Sequence, residues 1–165
     1  MNSQKIWLLT VALFCFGLLG AALYVQYVLY MFPCPWCVIQ RYAFFMISLT
    51  CLISAFLSPG AARRGSVFGV LFALGGAGAA IWLIWLQAHP SASCGIDPVE
   101  TSLNQFPAAK LLPLLFEANG MCATEYDPIF GLTVPRWSLL SFIAIIIVLV
   151  ARIVRDRRTQ ILGHQ

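Results

Sequence analysis

The chain has 165 residues, of which 61% are hydrophobic and only 10% charged, with a formal net charge of +4. A water-soluble domain carries about 25% charged residues, so a mean hydropathy of +0.86 places much of this surface against hydrocarbon and excludes an ordinary soluble enzyme. The excess positive charge does not point to nucleic acid, because the basic residues sit at the ends of apolar runs instead of covering one polar face.

The first apolar run, Ile6 to Val25, follows Lys5. A basic flank and the small residues Gly20, Ala21 and Ala22 resemble a secretory leader, but the run is longer than the typical core of about 7–15 residues. A retained span is expected. The second run, Val38 to Leu57, contains one formal charge, Arg41, and the third extends from Val67 to Leu86. The fourth, Trp137 to Val154, holds only Arg152, near its end. Each run has about the twenty residues needed to cross a hydrocarbon core, and lipid offers no partners for unpaired backbone, so helices are expected. The predicted fold is an all-α integral membrane bundle of four transmembrane helices at about 6–25, 38–57, 67–86 and 137–154. No repeat or linker divides it, so residues 1–165 are read as a single membrane domain.

Loops at about 26–37 and 87–136 then lie together on one side. Lys5, Arg63, Arg64, Arg152, Arg155, Arg157 and Arg158 fall on the other. Arg41, Lys110 and Arg136 on the loop side are diluted by Asp97, Glu100, Glu117, Glu125 and Asp127. The positive-inside rule makes both termini cytoplasmic and the two loops extracytoplasmic. Tyr27, Tyr30, Trp36, Trp85 and Trp137 gather near the outer interface, as an aromatic belt does. In the third run Gly69, Ala73 and Ala77 recur every four residues, as do the pairs Gly75 with Ala79 and Gly76 with Ala80. Such spacing lets helices approach closely in lipid, and packing within the monomer is the expected use. In the long loop Leu111, Leu112, Leu114, Leu115 and Phe116, broken by Pro113, read as a short interfacial helix lying on the bilayer.

Of the six cysteines, Cys15 and Cys51 fall inside apolar runs and read as small apolar filler. Cys34, Cys37, Cys94 and Cys122 share the outer face, where an oxidising compartment permits disulfides. Cys34-Pro35-Trp36-Cys37 is a C-x-x-C motif at the start of the second helix. Zinc knuckles and c-type haem attachment use the same spacing. Haem requires a histidine after the second cysteine, where this chain has Val38. A four-cysteine zinc site and a pair of static disulfides are the remaining alternatives on spacing alone.

The surroundings of Cys37 favour redox chemistry. It stands at a helix N-terminus, whose dipole favours a thiolate. Arg41 follows one turn later on the same face. An arginine inside an apolar span is costly unless it snorkels, pairs or serves a function. Two cysteine pairs on one face also permit a relay by thiol–disulfide exchange. The segment from His89 to Ser93 reads as extended and suited to docking a partner, with His89 a solvated loop residue. A relay needs a final acceptor, and the chain has no G-x-G-x-x-G fingerprint for a flavin or nicotinamide. A lipid-soluble quinone held by Arg41 beside Cys37 fits the position.

These features resemble the disulfide bond formation protein B (DsbB) family over nearly the whole chain. The resemblance rests on the four spans, on Cys34-x-x-Cys37-x-x-Gln40-Arg41, on Cys94 and Cys122 in the long loop, and on the stretch from Phe130 to Trp137. Vitamin K epoxide reductases share the bundle and the chemistry, but their loop cysteines precede the C-x-x-C motif, whereas here they follow it. The DsbA–DsbB–quinone system is a standard example of how a bacterial periplasm is kept oxidising. The resemblance implies a quinone-dependent enzyme of the bacterial inner membrane that reoxidises a DsbA-like thioredoxin-fold oxidase. It implies that Cys94 accepts the attack of the reduced partner and that Cys122, paired with Cys94, exchanges with Cys34. Cys37 would stand beside ubiquinone or menaquinone, with Arg41 and Gln40 at the quinone. Beyond the bilayer, the quinone pool and the DsbA-like oxidase, no metal and no nucleic acid is expected.

Overall fold

The computed structural model describes residues 3–89, 98–122 and 128–162. Four long helices, α1 (Ser3–Val28), α2 (Pro35–Phe56), α3 (Pro59–Ala88) and α7 (Val134–Leu162), form the bundle. Between α3 and α7 lie three short helices, α4 (Pro98–Gln105), α5 (Pro107–Leu111) and α6 (Pro113–Phe116). The stretches Lys5–Val28, Pro35–Phe56, Gly60–Ala88 and Val134–Asp156 are each long and apolar enough to cross a membrane. The chain is an all-α, multi-pass membrane bundle. Among the described residues the extended pairing is confined to an isolated bridge between Ile129 and Leu132.

Proline explains why α2 and α3 begin ahead of their apolar stretches. Pro35, Pro59, Pro98, Pro107 and Pro113 each open a helix, a position where the missing N–H is not needed and the fixed φ is already helical. As a result α2 begins three residues before its apolar run. Arg63 and Arg64, read from the sequence as a connector, lie inside the first turns of α3. At the other end of α1, Tyr30 adopts φ 53° and the Met31 N–H donates to Val25 O at 3.3 Å. This left-handed residue turns the chain back toward α2.

In the bundle α1 packs on α2, α2 on α3 and α3 on α7, while α1 and α7 scarcely meet. The small residues of α3 work inside the monomer. Ala73 and Ala80 are fully buried, and a Cβ on Gly76 would lie 2.3 Å from the Phe142 ring of α7. Phe142 in turn stacks on Phe44 of α2 at 4.1 Å, with the rings within 4° of parallel. Cys15 and Cys51 are fully buried in this core.

The two ends of the bundle are closed differently. At the end carrying the chain termini, Arg152 of α7 is 6% exposed. It donates to Ala62 O at 3.0 Å and to Ser66 Oγ, and it lies 3.6 Å from Asp156. Arg152 is therefore a tie between α7 and α3 as well as a positive charge. At the other end, α4 to α6 fold over α2. Phe116 stacks on Tyr42 at 4.1 Å and meets Phe45 edge-on at 5.8 Å, and Val38, Ala109 and Ala118 complete the cluster. The apolar segment read as one interfacial helix is divided at Leu112 and Pro113 between α5 and α6. Leu111, Leu112 and Leu114 point outward, whereas Phe116 is buried.

Candidate functional site

Cys34 caps the N-terminus of α2 in an extended conformation, with Pro35 as the first helical residue. This places Cys37 in the first turn, facing back toward Cys34. The Cys34 thiol donates to Cys37 Sγ at 3.4 Å. Cys122, carried by the segment after α6, also hydrogen-bonds Cys34. Cys34, Cys122, Leu83 and Leu86 are buried together, with Trp36 and Cys37 packed against them. Three of the four cysteines singled out in the sequence therefore form one cluster. Cys94 lies outside the described residues, as do Pro90 to Ser93 of the segment that the sequence reads as extended.

The contact with Cys122 pulls the Cys34 acidity one way, toward the thiolate. The bond shared with Cys37 and burial pull it the other way and prevail, pushing the Cys34 thiol well above the usual cysteine range. Cys34 is the donor of the pair and Cys37 the acceptor.

Arg41 lies one turn below Cys37 and is 7% exposed. Its guanidinium does not snorkel. Nη1 donates to Gln26 Oε1 at 2.7 Å and to Leu115 O at 3.2 Å, and Nη2 donates to Ala22 O at 3.3 Å. One side chain thus joins α1, α2 and the turn at α6. Gln26 is not singled out in the sequence because it falls just past the apolar run ending at Val25, whereas α1 continues to Val28 and carries Gln26 inside the helix.

Next to this cluster is a cavity of about 310 Å³, within the range of small-molecule sites. Its walls come from α1 (Leu19, Ala22), α2 (Cys37, Gln40, Arg41, Phe44), and the Ile129 to Ser141 stretch leading into α7. Cys34 and Cys122 line it too, as do Leu83 and Gln87 of α3. The cavity occupies the cleft where α1 and α7 scarcely meet. Its lining is mostly apolar, with Gln40 and Arg41 of α2, Gln87 of α3 and Ser138 and Ser141 of α7 as the polar side chains. Gln40 is 3% exposed, and its Nε2 has no hydrogen-bond partner among the described residues. A buried donor left unpaired costs about 1–3 kcal/mol. An apolar ring bearing carbonyl oxygens would satisfy it, so the residues present fit a quinone.

At the mouth of the cavity, Phe130 and Gly131 turn the chain with φ 52° and 82°, and Trp137 Nε1 donates to Ile129 O at 2.9 Å. The stretch from Phe130 to Trp137 therefore forms a cavity wall. His89 ends α3, with Nδ1 3.0 Å from Trp85 O and its ring stacked on Trp85 at 4.7 Å. Trp85 also stacks on Trp82, which meets Trp36 of the C-x-x-C motif at a tilt of 54° and 6.1 Å. Among the described residues no group of three or more His, Cys, Asp or Glu side chains is arranged to hold a metal ion.

Comparison with known proteins agrees with this architecture. The family model described as disulfide bond formation protein DsbB matches residues 4–152. Disulfide bond formation protein B of Herminiimonas arsenicoxydans is 54% identical over 145 residues, covering 88% of this chain and 92% of that protein. The corresponding protein of Ralstonia nicotianae is 41% identical, covering 95% of this chain and 98% of its own. Disulfide bond formation protein B 1 of Pseudomonas fluorescens Pf-5 is 38% identical, covering 96% and 94%. With four membrane-spanning helices and a cysteine cluster at the start of the second, the chain belongs to the DsbB family of disulfide bond formation proteins.

Proposed function

We propose that the chain is a quinone-dependent thiol:disulfide oxidoreductase that reoxidises a DsbA-type dithiol oxidase and delivers the electrons to the membrane quinone pool. The observation that carries the proposal is the placement of Cys37, Gln40 and Arg41 on one wall of a largely apolar cavity, beside the contact between Cys34 and Cys122. Family membership supports disulfide formation as the reaction. The excess of Lys and Arg at the end bearing the termini supports a cytoplasmic location for both, in a bacterial inner membrane, with the cysteine cluster on the periplasmic side.

Each step transfers two electrons. The two thiols of the reduced partner become a disulfide as a Cys94–Cys122 bond is reduced. That pair is reoxidised by exchange as the Cys34–Cys37 bond opens. Quinone supplies the final sink, taking two electrons and two protons. Cys37 presents its sulfur to the cavity, Arg41 offers positive charge and hydrogen-bond donors to a carbonyl oxygen, and Gln40 Nε2 offers a second donor. The apolar walls admit a lipid-soluble ring between α1 and α7 and exclude water from the sulfur. DsbA-type oxidases are themselves strong oxidants, so an acceptor of higher potential is what makes turnover run forward.

The test is anaerobic oxidation of reduced DsbA by the purified protein with ubiquinone or menaquinone, followed through quinone absorbance. Quinone consumption should match DsbA oxidation one to one. Cys37→Ser and Cys94→Ser should each abolish it, and Arg41→Ala should weaken its dependence on quinone concentration. A wild-type protein that reduces no quinone, with its cysteines locked in disulfides, would identify a membrane scaffold with structural disulfides instead.

A further inference from the structure

We infer that Gly120 and Asn104 form a seat that holds Cys122 against Cys34, making both of them positioning residues for exchange between the outer and inner cysteine pairs. The inference rests on the thiol-exchange chemistry proposed above, and it concerns how the loop delivers one particular sulfur.

The seat has two halves. Asn104, at the end of α4, forms a closed pair of hydrogen bonds with one backbone unit. Its Nδ2 donates to Ala118 O at 3.0 Å, and its Oδ1 accepts from the Ala118 N–H at 2.9 Å. This pairing imitates a backbone ladder and fixes Ala118, which is fully buried. The next two residues, Asn119 and Gly120, both donate their N–H groups to Pro33 O, at 3.2 and 3.0 Å. Pro33 is the residue before Cys34, so the carbonyl gripped by the loop belongs to the peptide unit leading into the cap of α2. Cys122 then follows two residues after Gly120 and is buried against Cys34.

Glycine at position 120 is required by this approach. A Cβ there would lie 2.3 Å from Phe32 O and 2.9 Å from the Phe32 carbonyl carbon. Both obstacles are backbone atoms, which cannot rotate away as a flexible side chain can. Any larger residue must lift the segment off Pro33 and carry Cys122 with it. Exchange is intolerant of such displacement, because the Cys122 thiolate must reach Cys34 Sγ to form the new bond while Cys37 departs as a thiolate. That step conserves electrons, since one S–S bond forms as another breaks.

The experiment isolates this contact. In a Cys37→Ser, Cys94→Ser background, only Cys34 and Cys122 remain at the outer face. Diamide, a two-electron thiol oxidant, would join them, itself taking up the two electrons and two protons. The bond is followed by gel mobility and peptide mass. Gly120→Val should slow its formation roughly tenfold or more, the scale expected of an ångström misplacement. Asn104→Ala should slow it less, and Asn104→Asp, which keeps the acceptor for the Ala118 N–H, should recover part of the loss. The control is formation of the Cys34–Cys37 bond in a Cys94→Ser, Cys122→Ser background carrying Gly120→Val, which should proceed at the parental rate. Unchanged Cys34–Cys122 bonding in Gly120→Val overturns the inference. So does an equal slowing of both bonds, since the substitution would then act on the fold and not on delivery of Cys122. Neither quinone nor a partner protein enters the assay, so failure of the quinone proposal leaves this result independent.

Discussion

Replacing Gln26 by leucine removes the closest acceptor of the Arg41 guanidinium while keeping an apolar side chain of similar length in α1. The bond lost is 2.7 Å long and joins two buried residues. Hydrogen bonds to charged groups in soluble proteins are worth about 1.5–3 kcal/mol. Between membrane helices, pairwise values average about 0.6 and reach about 1.7 kcal/mol, because the separated helices also find partners. The membrane figure governs here, and Arg41 retains backbone acceptors at Ala22 and Leu115. A loss of about 0.6–1.7 kcal/mol corresponds to roughly a 3- to 16-fold change in an equilibrium constant, at tenfold per 1.4 kcal/mol. If Gln26 orients Arg41 toward the cavity, that factor is expected in KM for quinone, with kcat little altered at saturation. Gln26→Glu supplies a charged acceptor in the same place and should restore most of the affinity. The assay is steady-state quinone reduction at fixed reduced DsbA, with thermal unfolding in detergent measured in parallel. A Gln26→Leu protein with wild-type KM and wild-type melting would refute the idea that this hydrogen bond orients the guanidinium.

Phe116→Ala empties the pocket between Tyr42 and Phe45, and core deletions of this size cost about 3–5 kcal/mol. The loop should detach from α2, seen as faster proteolysis between α4 and α6 while the four long helices keep their circular dichroism. Arg152→Ala removes the ties to Ala62 and Ser66 and should destabilise the bundle by about 1–3 kcal/mol, with Ser66→Ala costing less. Melting in detergent checks both, and a larger loss in Ser66→Ala would be evidence against Arg152 as the tie. Because the Cys34 thiol is pushed above the usual range, it stays protonated through neutral and mildly alkaline pH. Its alkylation by iodoacetamide should therefore still be rising steeply with pH between about 8 and 9.5, where an ordinary thiol of pKa about 8.5 begins to level off. A plateau below pH 9, measured by peptide mass in the fully reduced protein with Cys37 intact, would contradict the burial and hydrogen bonding that hold the proton on Cys34.

Much of the architecture was legible in order along the chain. Four apolar runs of about twenty residues leave few folds other than a helical membrane bundle, because the bilayer sets both the length and the form of the spans. The C-x-x-C motif and the arginine four residues after Cys37 were equally visible, since a helix start and its first turns are local features. Pro98, Pro107 and Pro113 each open one of the three described loop helices, but the apolar pattern from Leu111 to Phe116 by itself shows neither where α5 ends nor where α6 begins.

What the tertiary structure alone decided is which distant residues meet. Nothing in the spacing says that Gln26 accepts from Arg41, that Asn104 and Gly120 seat the segment bearing Cys122 on Pro33, or that Arg152 reaches Ala62 and Ser66. Nor does it say that α1 and α7 leave a cleft beside Cys37. Hydropathy and helix-start chemistry act over a few residues, so a single sequence carries them openly. Contacts between helices depend on rotation and depth within the bundle, which are set only when Gly76 meets Phe142 and Phe116 fills its place on α2.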